Sequence, residues 1–291
     1  MPPASKTNHD TTTIVPRRLL GQTGQRVSIL GLGGEGILRT HGQAAAAVRV
    51  IQRALDRGIT YFDTAPAYDS SIDYYGAALR ERRDQIFLAS KTHERSRDGS
   101  LRLLDSSLSR LRTEHLDLWQ LHDLRTKEEV NRIFAKGGAM EALIQARADG
   151  RVRYLGLTGH HDPAILLEAM GRFEFDTVLM AANAADVHGL SFIRTVLPEA
   201  ARYGVGIIGM KICAQGKLLG RGKLTMEQAM GYVLSLGGIS TVIVGCRTTA
   251  DVDENVRIAQ QFTPFSEKQL RALEDKTRLH SASYTYYQKA T

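Results

Sequence analysis

Two hydrophobic rhythms alternate along the chain. Short, nearly continuous apolar runs occupy residues 27–32, 60–63, 86–91, 116–121, 153–157, 177–180, 206–210 and 241–244. Such runs mark parallel strands buried on both faces. Between them the apolar residues recur every three or four positions. Val48, Ile51 and Leu55 share one helix face, and Gly58 ends that helix. Leu101, Leu104, Leu108 and Leu111 form the next stripe. Met140, Leu143 and Ile144 run up to Gly150, and Ile193 and Leu197 up to Gly204. Met226, Met230, Val233 and Leu234 run up to Gly237. A glycine just past a helix end takes the left-handed conformation without a Cβ penalty. Ser266 and Gln269 read as a capping box that opens a last helix through Leu270 and Leu273. Ahead of the repeats, Arg18-Leu-Leu-Gly-Gln-Thr-Gly-Gln-Arg-Val27 reads as a hairpin around a Gly-rich turn. Eight strand–helix units without a linker predict an α/β fold, a (β/α)8 TIM barrel with an N-terminal β-hairpin and a C-terminal extra helix. The expected organisation is a flexible N-terminal segment 1–16, a barrel over 17–280 and a C-terminal tail 281–291.

Composition narrows the class. With 291 residues and 43% hydrophobic content, the chain can fill one large core. The net charge of +7 is scattered without a basic stripe, so no nucleic-acid partner is expected. The two cysteines, Cys213 and Cys246, are far apart and form no CxxC, which argues against a disulfide framework or structural zinc. No apolar run nears the roughly 20 residues that span a bilayer, and the polar N-terminus lacks a secretory core. A cytoplasmic location without membrane attachment is the expectation.

In a barrel of this kind, active groups gather at the C-terminal ends of strands. Asp63, Lys91 and His122 stand at the ends of three successive predicted strands, and Tyr68 follows Asp63 on the same loop. A cation beside a phenol lowers its pKa, which makes a proton donor suited to a carbonyl or alcohol. Taken singly, each residue has a plain structural reading; together they form a set. Gly31-Leu-Gly33-Gly-Glu-Gly36 matches GxGxxG. That motif needs a helix N-terminus against a pyrophosphate, and the next helix begins near Gln43. The run therefore reads as a loop after the first barrel strand. His160-His161-Asp162 invites a metal reading, but neighbours on one loop rarely chelate without further ligands. The expectation is a polar loop leading to a helix at Pro163, and no metal.

Four segments carry a resemblance: Gly58-Ile-Thr-Tyr-Phe-Asp63-Thr-Ala-Pro-Ala-Tyr68, the Lys91 strand, Leu116-Asp-Leu-Trp-Gln-Leu-His122, and Gly150-Arg-Val-Arg-Tyr-Leu-Gly-Leu-Thr158. With Arg18-Leu-Leu-Gly-Gln-Thr-Gly and Val244-Gly-Cys-Arg-Thr-Thr-Ala-Asp-Val-Asp-Glu254-Asn255, they resemble the aldo-keto reductase superfamily in collinear order over about residues 17 to 275. The resemblance implies NADP(H) held across the C-terminal mouth, with NAD(H) as the alternative, and a small carbonyl or alcohol substrate. It implies a tetrad in which Tyr68 donates the proton, Lys91 tunes it, Asp63 holds Lys91 and His122 orients the carbonyl oxygen.

The cofactor contacts it implies are Gly33, Thr158, Gly159, Asn183, Met210, Lys211, Arg247, Glu254 and Asn255. Several depart from the family pattern. Thr158-Gly159 replaces Ser-Asn, Met210 replaces an aromatic residue, and Gly245-Cys246 and Asp251 replace groups that read the 2′-phosphate. Arg247 is left to take that role. Other readings stay open: a sugar or polyol dehydrogenase working oxidatively, or a non-catalytic cofactor-binding subunit. A metal hydrolase lacks a ligand set. The tail, with Tyr284, Tyr286 and Tyr287, either folds over the mouth or stays disordered.

Overall fold

The protein is described by a computed structural model covering residues 14–289. Strands β1 (Arg17–Leu19) and β2 (Arg26–Ser28) pair antiparallel. Strands β3 (Leu30–Gly36), β4 (Tyr61–Asp63), β5 (Phe87–Thr92), β6 (Leu116–Leu121), β7 (Val152–Gly159), β8 (Thr177–Ala181), β9 (Gly206–Met210) and β10 (Ile239–Cys246) run parallel. They close into a barrel, with β10 bonded to both β9 and β3. Helices α1 (Ala44–Asp56), α2 (Ser71–Leu79), α3 (Arg97–Leu111), α4 (Lys127–Phe134), α5 (Ala139–Ala148), α6 (Pro163–Met170), α7 (Val196–Arg202), α8 (Met226–Ser235) and α9 (Thr249–Gln260) follow the strands around it, and α10 (Glu267–Arg278) and α11 (Ser281–Tyr284) end the chain. This is the expected (β/α)8 architecture with its N-terminal hairpin and extra C-terminal helix.

Strand alternation sorts the side chains into two cores. Tyr61, Phe87, Ala89, Leu118, Leu179 and Ile208 form a small cluster, while their neighbours Phe62, Leu88, Trp119 and Ile207 join the larger one with the helices. Successive residues of a strand point to opposite faces, so the first set fills the barrel and the second packs under the helices. The hairpin closes the N-terminal end. Its Leu20 and Val27 join the inner cluster. The Tyr154 hydroxyl donates to the Thr23 carbonyl at 2.8 Å, and the Gln22 N–H donates to the Gly204 carbonyl at 2.9 Å.

Several local expectations are corrected. The glycine run 31–36 is no loop; it is most of β3. It stays in the sheet because backbones approach closely there. A Cβ on Gly31 would come within 2.8 Å of the Tyr61 ring, and one on Gly36 within 2.4 Å of the Cys246 carbonyl oxygen. The predicted strand 27–32 is in fact split between β2 and β3. Ile193 lies ahead of α7, where its N–H donates to Asp186, and Ile144 is exposed. At the end of α8 it is Gly238 and not Gly237 that has a positive φ. Most of the expected flexible segment, residues 1–13, lies outside the described residues. The tail folds back, with Tyr284 and Tyr287 buried.

The hairpin turn offers a paired test. Gly21 (φ 53°) and Gly24 (φ 73°) both sit in the left-handed region. A Cβ at Gly21 would lie 2.3 Å from the Gly206 nitrogen, whereas one at Gly24 meets nothing within 4 Å. Gly24→Ala is expected to cost about 1–2 kcal/mol of backbone strain. Gly21→Ala adds a backbone clash and is expected to cost about 2–4 kcal/mol. Urea unfolding midpoints read both; equal losses would remove the hairpin's role as a tightly seated plug.

Candidate active site

The C-terminal end of the barrel holds a buried ion pair. Asp63 ends β4 and Lys91 lies near the end of β5; both side chains are fully buried. Lys91 Nζ donates to Asp63 Oδ1 at 2.5 Å and to the Thr64 carbonyl at 2.8 Å. Gln120, directly across from Lys91 on β6, donates to Asp63 Oδ2 at 3.4 Å. Burial pushes the Asp63 carboxyl up and the Lys91 ammonium down, and their mutual attraction opposes both shifts.

Tyr68 and His122 stand over this pair. Two turns seat Tyr68 between β4 and α2: its N–H donates to the Ala65 carbonyl at 3.0 Å, and its carbonyl accepts from Ser71 N–H at 2.8 Å. Gly34 makes room beneath it, since a Cβ there would lie 2.7 Å from the Tyr68 ring. The His122 N–H donates to the Thr92 carbonyl at 2.9 Å. The Tyr68 and His122 rings meet edge to face, with centroids 5.5 Å apart. The four residues expected to act together are therefore neighbours.

One electrostatic expectation fails. Lys91 Nζ lies 4.8 Å from the centroid of the Tyr68 ring, against its face. The Tyr68 phenol is raised well above its usual value, first by desolvation among crowded atoms and then by the charges of Asp63 and Glu35; Arg39 pulls it back down. The Arg39 guanidinium sits 5.3 Å from the Tyr68 ring centroid and is held by Glu35 at 2.8 Å. Among the charges that shift the phenol, Arg39 is the cation that lowers it. Sequence reading missed Arg39 and Glu35 because they sit at and beyond the end of β3, where the glycine run drew attention instead. The His122 imidazole is lowered to about 2 by burial and by Lys91, so it is neutral at physiological pH.

The remaining predicted residues are spread around the same end of the barrel. The Thr158 hydroxyl accepts from Asp123 N–H at 2.7 Å. Gly159 is small for a packing reason, as a Cβ there would lie 2.9 Å from Leu166 on α6. Gly33 is buried at the mouth end of β3, where a Cβ would make only ordinary contacts with β10. Asn183 is buried and committed: it donates to the Lys211 carbonyl at 3.2 Å and to the Tyr287 hydroxyl at 2.8 Å, and accepts from Ala185 N–H at 3.0 Å. Met210 ends β9 facing the barrel interior. The next residue, Lys211, sets its ammonium 5.6 Å from the Tyr287 ring centroid.

Arg247 is exposed, and its side chain makes no hydrogen bond or ion pair among the described residues. Its N–H, and that of Thr248, donate to Asp251 Oδ2 at 2.7 and 3.0 Å. On α9, Glu254 is exposed, and Asn255 is buried with its amide 3.5 Å from Cys246 Sγ. In chemistry this ring of amide, ammonium and guanidinium groups fits a nicotinamide cofactor. A ligand reaching the Asn183 amide has to replace the Tyr287 hydroxyl.

His160 and His161 do not act with Asp162. Asp162 caps α6 through the Ala164 N–H at 2.8 Å, whereas both imidazoles turn toward Asp123 on the neighbouring loop.

A sequence model described as the Aldo/keto reductase family matches residues 29–228, well over half of the chain. The chain belongs to the aldo/keto reductase family. It is 22% identical over 310 aligned positions to the uncharacterized oxidoreductase YqkF of Bacillus subtilis, covering 90% of this chain and 96% of that one. It is 25% identical to the L-galactose dehydrogenase of Arabidopsis thaliana, covering 84% and 88%. A solved aldo-keto reductase of Bacillus halodurans shares the fold, with a TM-score of 0.76 at 24% identity over 90% of this chain and 96% of that one. Aldo/keto reductases are oxidoreductases that act on carbonyl compounds and generally bind nicotinamide cofactors, and this chain is one by membership. Among its described residues, no helix is long and apolar enough to cross a membrane.

Removing one member of a buried ion pair leaves the other charged and unpaired. Lys91→Met is therefore expected to lower the unfolding free energy by about 3–5 kcal/mol. The double variant Asp63→Asn/Lys91→Met should recover more than half of that loss. Denaturant unfolding of the single and double variants reads this; a double variant no more stable than Lys91→Met would mean the pair does not carry the cost.

Proposed function

We propose that this aldo/keto reductase reduces an aldehyde or ketone to an alcohol with NADPH, with Tyr68 as the proton donor. The observation that carries the proposal is the convergence of Tyr68 and His122 over the buried Asp63–Lys91 pair at the barrel mouth. When bound, the cofactor supplies the hydride. The Tyr68 phenol is protonated at neutral pH, so a proton is available where oxygen charge develops. Arg39, 5.3 Å from the ring centroid, stabilises the phenolate left behind. A neutral His122 can donate an N–H to the carbonyl oxygen and orient it. Asp63 keeps Lys91 charged and in place.

The reverse reaction, suggested by the name of the similar L-galactose dehydrogenase, needs Tyr68 as a base. The unpaired guanidinium of Arg247 supports NADP(H), because it can bind a 2′-phosphate in a bidentate manner. One observation favours NAD(H): the Asp251 carboxylate already occupies the N–H groups of Arg247 and Thr248, where an anion would otherwise bind. Gly33, Thr158, Gly159, Asn183, Met210, Lys211, Glu254 and Asn255 complete the proposed cofactor contacts. Free Cys213 and Cys246 support a reducing, cytoplasmic setting.

Tyr68→Phe removes only a hydroxyl and is expected to lower turnover by about 10²–10⁴-fold while NADPH binding persists. The measurement is NADPH consumption across a panel of aldehydes and ketones, with binding checked by calorimetry. Turnover near wild type would remove Tyr68 from the proton-donor role.

Arg247→Ala is expected to weaken NADP(H) by about 1–3 kcal/mol and to leave NAD(H) nearly unchanged. Calorimetry is the suitable readout, since the single Trp119 is buried beneath the helices, on the opposite strand face to the barrel interior. Wild-type protein that binds NAD(H) more tightly would decide for the Asp251 reading.

A further inference from the structure

We propose that Asp123, His160 and His161 form a binding site for one divalent cation of zinc's size and softness, between the loops that follow β6 and β7. Ligand atoms of all three residues lie within 4.8 Å of one another. His160 Nδ1 is 3.2 Å from Asp123 Oδ1, and His161 Nε2 is 3.4 Å from the same oxygen. Around a tetrahedral zinc with bonds of about 2.0–2.1 Å, neighbouring ligand atoms stand about 3.3–3.4 Å apart. Both separations from Asp123 Oδ1 are close to that spacing.

The contacts are not hydrogen bonds. Asp123 Oδ1 and His161 Nε2 are buried atoms without a hydrogen-bond partner. Histidines that merely neutralised Asp123 would aim an N–H along its lone pairs. Instead, two imidazole nitrogens approach one carboxylate oxygen with no proton-donor geometry between them, and buried polar atoms left without a partner are costly. A cation between them satisfies all of them.

The surroundings act as a support for this site. Arg125 holds the other carboxylate oxygen, with its Nε and a terminal nitrogen 2.9 and 2.7 Å from Asp123 Oδ2, which fixes Oδ1 toward the histidines. The Asp123 N–H donates to the Thr158 hydroxyl at 2.7 Å, which joins the two loops. Lys289 N–H donates to the His161 carbonyl at 3.1 Å, and the His160 ring packs edge to face on Tyr287 at 5.6 Å. The positive charges of Arg125 and Lys211 lie near the His160 imidazole and oppose a cation. The site is therefore weaker than a closed four-ligand zinc site. Three protein ligands leave one position for water or another oxygen ligand. None of its residues belongs to the tetrad, although Asp123 directly follows His122 in the chain.

The test uses the full chain stripped of metal with a chelator, then titrated with ZnCl2 alone by calorimetry. Cobalt(II) is a second probe, because its visible absorption reports tetrahedral coordination. The expected result is one equivalent of zinc with micromolar or tighter affinity, and cobalt bands of a tetrahedral N/O site. His161→Gln and Asp123→Asn should each weaken zinc at least about tenfold, while His41→Gln, at an exposed and distant histidine, should not. Circular dichroism confirms that each variant is folded, and His160→Gln replaces any that is not. Zinc binding absent from wild type, or unchanged in the variants, would overturn the site.

Discussion

A fully buried ammonium–carboxylate pair is the constraint around which the upper half of this barrel is arranged. Taking two charges out of water is expensive, and their attraction repays it only with good geometry and further hydrogen bonds. Asp63 and Lys91 meet at 2.5 Å, and the Thr64 carbonyl and the Gln120 amide add a further hydrogen bond to each. That requires the ends of β4, β5 and β6 to be in register, which the barrel provides by pairing Asp63 with Ala89 and Lys91 with Gln120. The proton affinity of Tyr68 is governed by crowding, then by the charges of Asp63 and Glu35, with Arg39 opposing them.

The two ends of the barrel are closed by different means. At the N-terminal end, the hairpin seats apolar side chains into the inner cluster and ties its backbone to β9. Such a plug is structural, and its Gly21 is set by a backbone approach too close for any Cβ. At the C-terminal end, the tail buries the rings of Tyr284 and Tyr287 and adds polar contacts at the mouth. Tyr287 bonds Asn183, Gln288 donates to Asp186 at 3.1 Å, and Lys217 lies 3.6 Å from the centroid of the Tyr286 ring. Hydrogen bonds and cation–π contacts of this kind can be exchanged for a ligand's own polar groups more readily than buried apolar surface can. The chemistry of each lid thus suits its end: one seals the core, the other lies where ligands enter.

Apolar periodicity determined the architecture, because buried parallel strands and amphipathic helices each leave a pattern that no tertiary contact is needed to read. Strand ends follow from that pattern, and with them the placing of Asp63, Lys91 and His122; the loop position of Tyr68 follows as well. Tertiary structure alone decided what lies side by side across loops. The GxGxxG run is a strand that β4 and β10 approach too closely for a side chain at Gly31 and Gly36, a fact held in the partner strands and not in the run itself. His160 and His161 found Asp123, 37 positions before His160, in place of the adjacent Asp162, because Asp162 is drawn away to cap α6. Tyr287 met Asn183 only when the chain end returned to the mouth. Proton affinities were likewise beyond the sequence, since desolvation and through-space charge depend on distances that only the closed barrel sets.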